Sequence, residues 1–247
     1  MMILWIVLSI VAMMAIVGIV FVNQPSFGRI PRGERLARIE RSPNYRDGAF
    51  RNIHETPLMT SDKGRLQGLL DFLFKDKTGL QPDTALTVVK TDLRQIDPGE
   101  EVLVWFGHSS YLIQVDGKRV LVDPVFCMAS PVSFINKPFK GTDVYHPEDM
   151  SDIDYLVISH DHWDHLDYQT VRALKDRVGK VICGLGVGEH FEYWGFDRER
   201  IVELDWEDEV RLDSGFVVHC LPARHFSGRG LAANKTLWAS FLLETPS

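Results

Sequence analysis

The chain has 247 residues, of which 45% are apolar and 25% are charged. These values match an average globular protein and exclude a wholly disordered, a collagen-like and a multi-span membrane protein. The net charge of −7 argues against a general nucleic-acid-binding protein, and three scattered cysteines are too few for a disulfide scaffold or an all-cysteine zinc site.

The amino-terminal segment, residues 1–22, is a continuous apolar run in which Ser9 is the only polar side chain. Because about 20 helical residues cross the hydrocarbon layer of a bilayer, the run predicts a transmembrane helix. A cleaved secretory signal is the alternative, but the run is longer than a signal core, lacks a preceding basic side chain and is not followed by a small-residue cleavage site. Arginines at 29, 32, 35 and 38 follow, so the positive-inside rule predicts a single-pass protein with its globular part in the cytoplasm.

Residues 23–99 are expected to form a basic linker, or an arm wrapping the domain. From residue 29 to residue 65, nine basic side chains stand against five acidic ones. A basic stretch beside an apolar helix suits a chain tethered to an anionic membrane surface. Within this segment an amphipathic helix is expected over residues 61–75, with one apolar face formed by Leu66, Leu69, Leu70, Leu73 and Phe74.

Residues 100–247 have the pattern of an α/β domain. Apolar runs predict strands at 102–106, 110–115, 119–122, 155–159, 180–183, 201–204, 216–221 and 237–243. Helices are expected at 168–178 and 188–194, and Asp116-Gly117 predicts a hairpin turn. Strands followed by a helix and further strands indicate a layered α/β architecture.

The chemically informative segment, residues 159–167, reads SHDHWDHLD and directly follows a predicted buried strand. Because alternate residues of an extended loop point the same way, His160 and His162 can hold one metal ion together. Asp164 and His165 enter a turn and can face a second ion. Imidazole nitrogens and a carboxylate oxygen suit zinc, with iron or manganese as alternatives.

The motif His160-x-His162-x-Asp164-His165 after an apolar strand resembles the signature of the metallo-β-lactamase superfamily. Residues 100–247 are most similar, within it, to the group of N-acylphosphatidylethanolamine-hydrolysing phospholipase D and its bacterial relatives. This narrower likeness rests on WFGHSS at 105–110, VLVDPVF at 120–126, PARHFSGRG at 222–230 and NKTLWASF at 234–241. The resemblance implies an αββα sandwich.

The resemblance also implies the metal ligands. His160, His162 and His225 would hold a first ion, and Asp164 and His165 a second, with two zinc ions in the complete family site. Asp164 is the expected catalytic residue, holding and orienting a metal-bound hydroxide.

Four further residues near the motif are given supporting roles. Asp123 is expected to orient a ligand imidazole through its ring N–H, with capping of a turn before Pro124 as the alternative. Asp167 is a similar candidate, with a helix N-cap as its alternative. His108 is expected to line the pocket without binding metal, and His190 to pack among aromatic side chains.

The reaction implied by the resemblance is phosphodiester hydrolysis of an N-acylated phospholipid. Another hydrolase on the same scaffold, of the lactonase or nuclease type, is an alternative, although the acidic domain disfavours nucleic acid. A membrane-anchored, inactive metal-binding module is a third possibility.

The segment after His225 lacks residues that the resemblance requires. A two-metal site of this superfamily needs a bridging carboxylate and one more histidine there, whereas the segment contains neither Asp nor His, and Glu244 is its only acid. We therefore expect a C-terminally incomplete domain, with a first metal position formed by three histidines, a poorly held second position and low or no turnover.

Overall fold

The computed structural model describes residues 1–57, 64–74, 76, 78–212 and 215–247, with the backbone alone at 65, 69, 72 and 73. The helices are α1 (Met2–Val22), α2 (Gly33–Ile39), α3 (Arg65–Phe74), α4 (Tyr168–Leu174) and α5 (Gly188–Tyr193). The strands are β1 (Tyr45–Arg46), β2 (Ala49–Phe50), β3 (Val102–Gly107), β4 (Ser110–Val115), β5 (Lys118–Val122), β6 (Ile153–Ile158), β7 (Val178–Gly184), β8 (Ile201–Leu204), β9 (Glu209–Arg211), β10 (Val217–Leu221) and β11 (Ser240–Glu244).

Two sheets build the domain. The larger runs in the order β3-β4-β5-β6-β7-β8, antiparallel from β3 to β5 and parallel from β5 to β8. The smaller is antiparallel, in the order β11-β10-β9. Because the carboxyl ends of parallel strands lie at one edge of a sheet, the segments that follow β5 and β6 lie side by side. These segments carry Asp123 and His160.

The larger sheet is covered on both faces, because successive residues of a strand point to opposite sides. One face packs against α4 and α5 in a core that includes Leu121, Leu156, Ile158, Val181, Val171, Leu174 and Phe191. The other packs against the smaller sheet through residues that include Val120, Val157, Ile182, Val218 and Cys220. The described residues thus form helix, sheet and sheet layers, in agreement with the α/β part of the expected sandwich.

The amino-terminal segment and arm resolve into distinct parts. α1 is exposed and is long and apolar enough to cross a membrane, a property that a signal sequence at this position would share. Residues 23–57 include α2 and the β1–β2 hairpin and pack onto the domain, since Ile39 and Phe50 are fully buried between the sheets. The segment is therefore a wrapping arm rather than a free linker.

Several predicted elements differ from the observed ones. The helix expected over 168–178 ends at Leu174, because Val178 pairs with Ile153 and begins β7. The strand expected over 237–243 begins only at Ser240. β9, the β1–β2 hairpin and α2 were not predicted.

The helix expected over 61–75 is observed as α3, with residues 61–63 and 75 outside the described residues. Its Leu66, Leu70 and Phe74 side chains are exposed.

Candidate metal centre

The loop of residues 160–166, called here the metal loop, turns sharply after β6. The backbone N–H groups of His165 and Leu166 both donate to the carbonyl of His162, at 3.1 and 2.8 Å. This turn brings His165 back beside His160, with ring centroids 4.1 Å apart. The sequence motif therefore folds into one compact group rather than an extended row.

A first group of candidate ligands consists of His160, His162 and His225. His162 Nδ1 lies 2.9 Å from His160 Nε2 and 3.3 Å from His225 Nε2. Nitrogens bound at about 2.0–2.1 Å to a tetrahedral zinc are about 3.3 Å apart from one another. The donor set and its spacing thus fit a divalent metal, and they are the three residues predicted for the first ion.

A second group joins His108 to Asp164 and His165. His108 Nε2 lies 3.2 Å from His165 Nε2 and 3.3 Å from Asp164 Oδ2. His108, expected to line the pocket without binding metal, does line the cavity beside this group, and its ring nitrogen also lies with the two predicted ligands. A poorly held second position was expected because only Asp164 and His165 were predicted as its ligands. The observed group contains three candidate ligands.

The Asp123 carboxylate fixes the orientation of two imidazoles. Its Oδ2 accepts hydrogen bonds from His165 Nδ1, at 2.8 Å, and from the Ser159 hydroxyl, at 2.6 Å. Since the Ser159 hydroxyl donates to Asp123, it accepts from His160 Nδ1, at 2.9 Å. Both histidines are therefore protonated on Nδ1 and turn an Nε2 lone pair toward the candidate metal positions. Ser159 belongs to the informative segment 159–167, but no role was predicted for it because its hydroxyl is not a usual metal ligand.

Burial favours the neutral form of the three histidines in the first group by lowering their pKa values. Burial, helped by repulsion from the neighbouring histidines, lowers the pKa of His160 to about 2. Burial also lowers the pKa of His162 and of His225. A neutral imidazole retains the lone pair that a metal ion needs.

Asp167 and His190 occupy supporting positions. Asp167 is the N-cap of α4: one oxygen accepts from the backbone of Gln169, and the other accepts from the backbone of Cys127 and Met128 and from a threonine hydroxyl. These contacts fit the alternative role of Asp167 as a helix N-cap, and none of them is to an imidazole. His190 stacks on Trp194 as expected and also contacts a carboxylate of the metal loop.

A cavity of about 520 Å³ opens beside Asp164 and His108. Its walls are mainly apolar and include Trp105, Phe106, Phe126, Val132, Ile135, Phe139 and Tyr145. A mainly apolar cavity with a few polar groups is a typical binding site for a small or elongated organic ligand.

Comparison with known proteins identifies a family and several relatives that match part of the chain. The profile of the β-lactamase superfamily domain matches residues 118–247. An uncharacterized protein of Mycobacterium tuberculosis is 40% identical over 215 residues, covering 84% of this chain and 56% of that protein. N-acyl-phosphatidylethanolamine-hydrolyzing phospholipase D 1 of Caenorhabditis elegans is 31% identical over 151 residues, covering 56% of this chain and 41% of that protein.

A metal-dependent hydrolase of Pyrobaculum neutrophilum is 26% identical over 149 residues, covering 58% of this chain and 56% of that protein. The chain thus spans about half the length of these curated relatives.

Proposed function

Because the chain belongs to the metallo-β-lactamase superfamily, we propose that it is a metal-dependent hydrolase. The observation that carries the proposal is the pair of adjacent ligand groups, His160–His162–His225 and His108–Asp164–His165. Zinc is the proposed metal, with iron and manganese as alternatives that the same nitrogen and oxygen donors accept. A bound metal of this kind lowers the pKa of a coordinated water toward neutrality and polarises the bond to be hydrolysed.

The residues of the chain supply position and proton placement. His160 and His165 are held by the Asp123–Ser159 hydrogen bonds, so their rings need not reorganise when a metal binds. Asp164 belongs to the second ligand group and also lines the cavity, with its side chain partly exposed. From this place its carboxylate can hold the attacking water by accepting a hydrogen bond from it.

For the substrate we propose an N-acylated phospholipid, cleaved at its phosphodiester. Three features support this class. The cavity beside Asp164 has apolar walls suited to an acyl chain, α1 can place the protein at a membrane, and the Caenorhabditis elegans relative is a phospholipase D of this specificity. We further propose that α1 is a single membrane span, with the globular domain on the cytoplasmic side.

The first test is the metal content of the purified full chain in detergent, measured by elemental analysis. We expect metal in the unmodified chain and its loss in His160→Ala, because that change removes one of three ligands of the first group. His54→Ala is the matched control, since His54 is exposed and lies outside both ligand groups. Equal metal loss in both variants would show that the ligand assignment is wrong.

The second test separates substrate classes by offering the same preparation an N-acyl phospholipid, a lactone and single-stranded DNA. Release of phosphatidic acid that stops on chelation and resumes on adding zinc supports the phospholipid proposal. Cleavage of the lactone alone, or of DNA alone, would show that the proposed substrate class is wrong and would still support a metal-dependent hydrolase.

A further inference from the structure

The segment of residues 25–29, called here the strap, follows α1 and contacts the metal loop. The Phe27 ring meets the Trp163 ring edge-on at a centroid distance of 5.0 Å. The Pro25 carbonyl accepts a hydrogen bond from Trp194 Nε1 at 2.8 Å. The chain segment next to the proposed membrane span is thus packed against the loop that carries most of the candidate ligands.

Arg229 links the strap to the backbone of the metal loop. Its side chain is buried, and its Nε and Nη2 donate to the Ser26 carbonyl at 3.2 and 2.9 Å. Its Nη1 donates to the carbonyls of Asp161, at 2.9 Å, and of Leu166. Removing the strap would leave two donors of a buried guanidinium without their partner, which is costly.

A second connection runs through His190 to the residue between two ligands. The backbone N–H of Arg29 donates to His190 Nδ1 at 3.0 Å, so the ring proton is on Nε2, which donates to Asp161 Oδ2 at 3.1 Å. Asp161 stands between His160 and His162 and is itself buried. The strap is therefore linked, through His190, to Asp161, the residue between the ligands His160 and His162.

The same arm also holds the loop of the third ligand. Asn52 Nδ2 donates to the His225 carbonyl at 2.9 Å, and the His225 N–H donates to Asn52 Oδ1 at 3.1 Å. Both loops that deliver the first ligand group are thus bonded to residues 23–57.

We propose that the amino-terminal arm is the positioning element of the first metal site, acting through the strap and Asn52. Arg229 and His190 are then positioning residues that transmit the docking of the arm to the ligands. Since coupling between two binding events is reciprocal, bound metal should in turn hold the arm in place. The proposal rests on the metal-binding part of the proposed function and is independent of its substrate.

Gly28 offers a sharp test. Its φ of +70° is in the left-handed region, and a Cβ there would lie 2.0 Å from His190 Nδ1. Gly28→Ala should push the strap off His190, whereas Gly33→Ala is a matched control, with a φ of +57° and nothing within 4 Å of the added Cβ. Both glycines have a positive φ that an alanine rarely adopts, so both changes strain the backbone, and only the first places a Cβ against His190.

The first readout is the affinity of the full chain in detergent for Zn²⁺, and the visible spectrum with Co²⁺ bound. We expect Gly28→Ala to bind about 10- to 100-fold more weakly, the usual effect of losing the groups that orient metal ligands, and to give an altered Co²⁺ spectrum. Gly33→Ala should match the unmodified chain in both.

The second readout is tryptic cleavage after Arg29, followed by mass spectrometry. Zn²⁺ should slow this cleavage in the unmodified chain and in Gly33→Ala, and should have little effect in Gly28→Ala. Asn52→Ala should weaken metal binding as well, so the proposal stays testable should Gly28→Ala not fold.

Two results would count against the proposal in different ways. If the unmodified chain binds no metal, the proposed function fails and this inference fails with it. If the unmodified chain binds metal, and Gly28→Ala and Asn52→Ala bind it equally well with no metal-dependent protection of Arg29, this inference alone is overturned.

Discussion

Asp123 has an unusual backbone for a residue that follows a strand. Its φ of 42° is in the left-handed region, which Asp and Asn tolerate better than most side chains. This conformation goes with a carboxylate that reaches the Ser159 N–H, at 2.7 Å, as well as the Ser159 hydroxyl and His165. One residue thus joins the ends of β5 and β6 and sets two imidazole tautomers.

Asp123→Asn should weaken metal binding, chiefly at the second group, by about 10- to 100-fold. The amide adds no backbone strain, but its NH₂ would face His165 Nδ1 and favour the ring tautomer that carries the proton on Nε2, which cannot bind metal. Zinc titration monitored by calorimetry measures the effect. Asp154→Asn is the control, because Asp154 bonds the backbone of Arg119 on the same sheet, away from the ligands. Unchanged affinity in Asp123→Asn would contradict the orienting role.

Among the site residues, the sequence predicted those that lie close together in the chain. His160, His162, Asp164 and His165 lie within six positions, so their spacing alone indicated a shared site. His108 depends on a turn with a φ of 47° between β3 and β4, which brings it to His165 across 57 positions. Such a contact is created by the fold and leaves no spacing signal in the chain.

Residues 237–239 show why one predicted strand is shorter than its apolar run. Leu237 N–H donates to the Leu185 carbonyl and Ala239 N–H to the Ser159 carbonyl, so this backbone bonds loops at the ends of the larger sheet. Trp238 between them is 1% exposed, and its Nε1 donates to the Ala223 carbonyl at 2.8 Å. The segment is a buried connector beneath the His225 loop rather than part of a ladder.

Trp238→Phe should lower the free energy of unfolding by about 1–3 kcal/mol, because it removes the donor of the partly buried Ala223 carbonyl from a site that the indole otherwise fills. Urea denaturation followed by circular dichroism measures it. The matched control is Trp105→Phe, which removes an indole that is 65% exposed and bonds the His108 carbonyl at 3.0 Å. There water can replace the lost partner, and a cost equal to that of Trp238→Phe would argue against the connector role.

Element boundaries failed where pairing between distant residues overrode a local pattern. The spacing of apolar residues over 168–178 is typical of one helix. Val178 nevertheless pairs with Ile153 of β6 in a parallel ladder and so begins β7. β11 is the outermost strand of its sheet, with Leu242 46% exposed. The eight strands that coincide with apolar runs were therefore predictable, whereas the short β1, β2 and β9 and the ends of elements depended on tertiary partners.

At the scale of the whole molecule, basic residues of the amino-terminal arm form ion pairs with acidic residues of the domain. Arg35 is only 9% exposed and pairs with Glu189 at 2.7 Å, Glu203 at 2.8 Å and Glu192 at 3.0 Å. Arg29 pairs with Glu189 at 2.8 Å. Part of the basic arm thus neutralises acids of the domain, so less of its charge is free to attract an anionic membrane than the sequence alone indicated.

This distribution makes a specific prediction about membrane association. Attraction by exposed arginines is screened by salt, whereas an apolar span is held by the hydrophobic effect. Residues 1–28 carry no charged side chain, and α1 has 21 residues, enough to cross the hydrocarbon layer. The full chain should therefore stay in the membrane fraction after high-salt and carbonate washing, as measured by immunoblotting of the fractions.

Deletion of residues 2–22 is the matched control, because it removes α1 and leaves the strap and the arm arginines in place. This variant should move to the soluble fraction and still bind metal, since its strap contacts to Arg229 and His190 are intact. Retention of the deleted chain on salt-washed membranes would mean that another surface holds it there. Recovery of the full chain as a shorter soluble form lacking residues 1–28 would identify α1 as a cleaved signal, and release of the intact chain by carbonate would exclude a span.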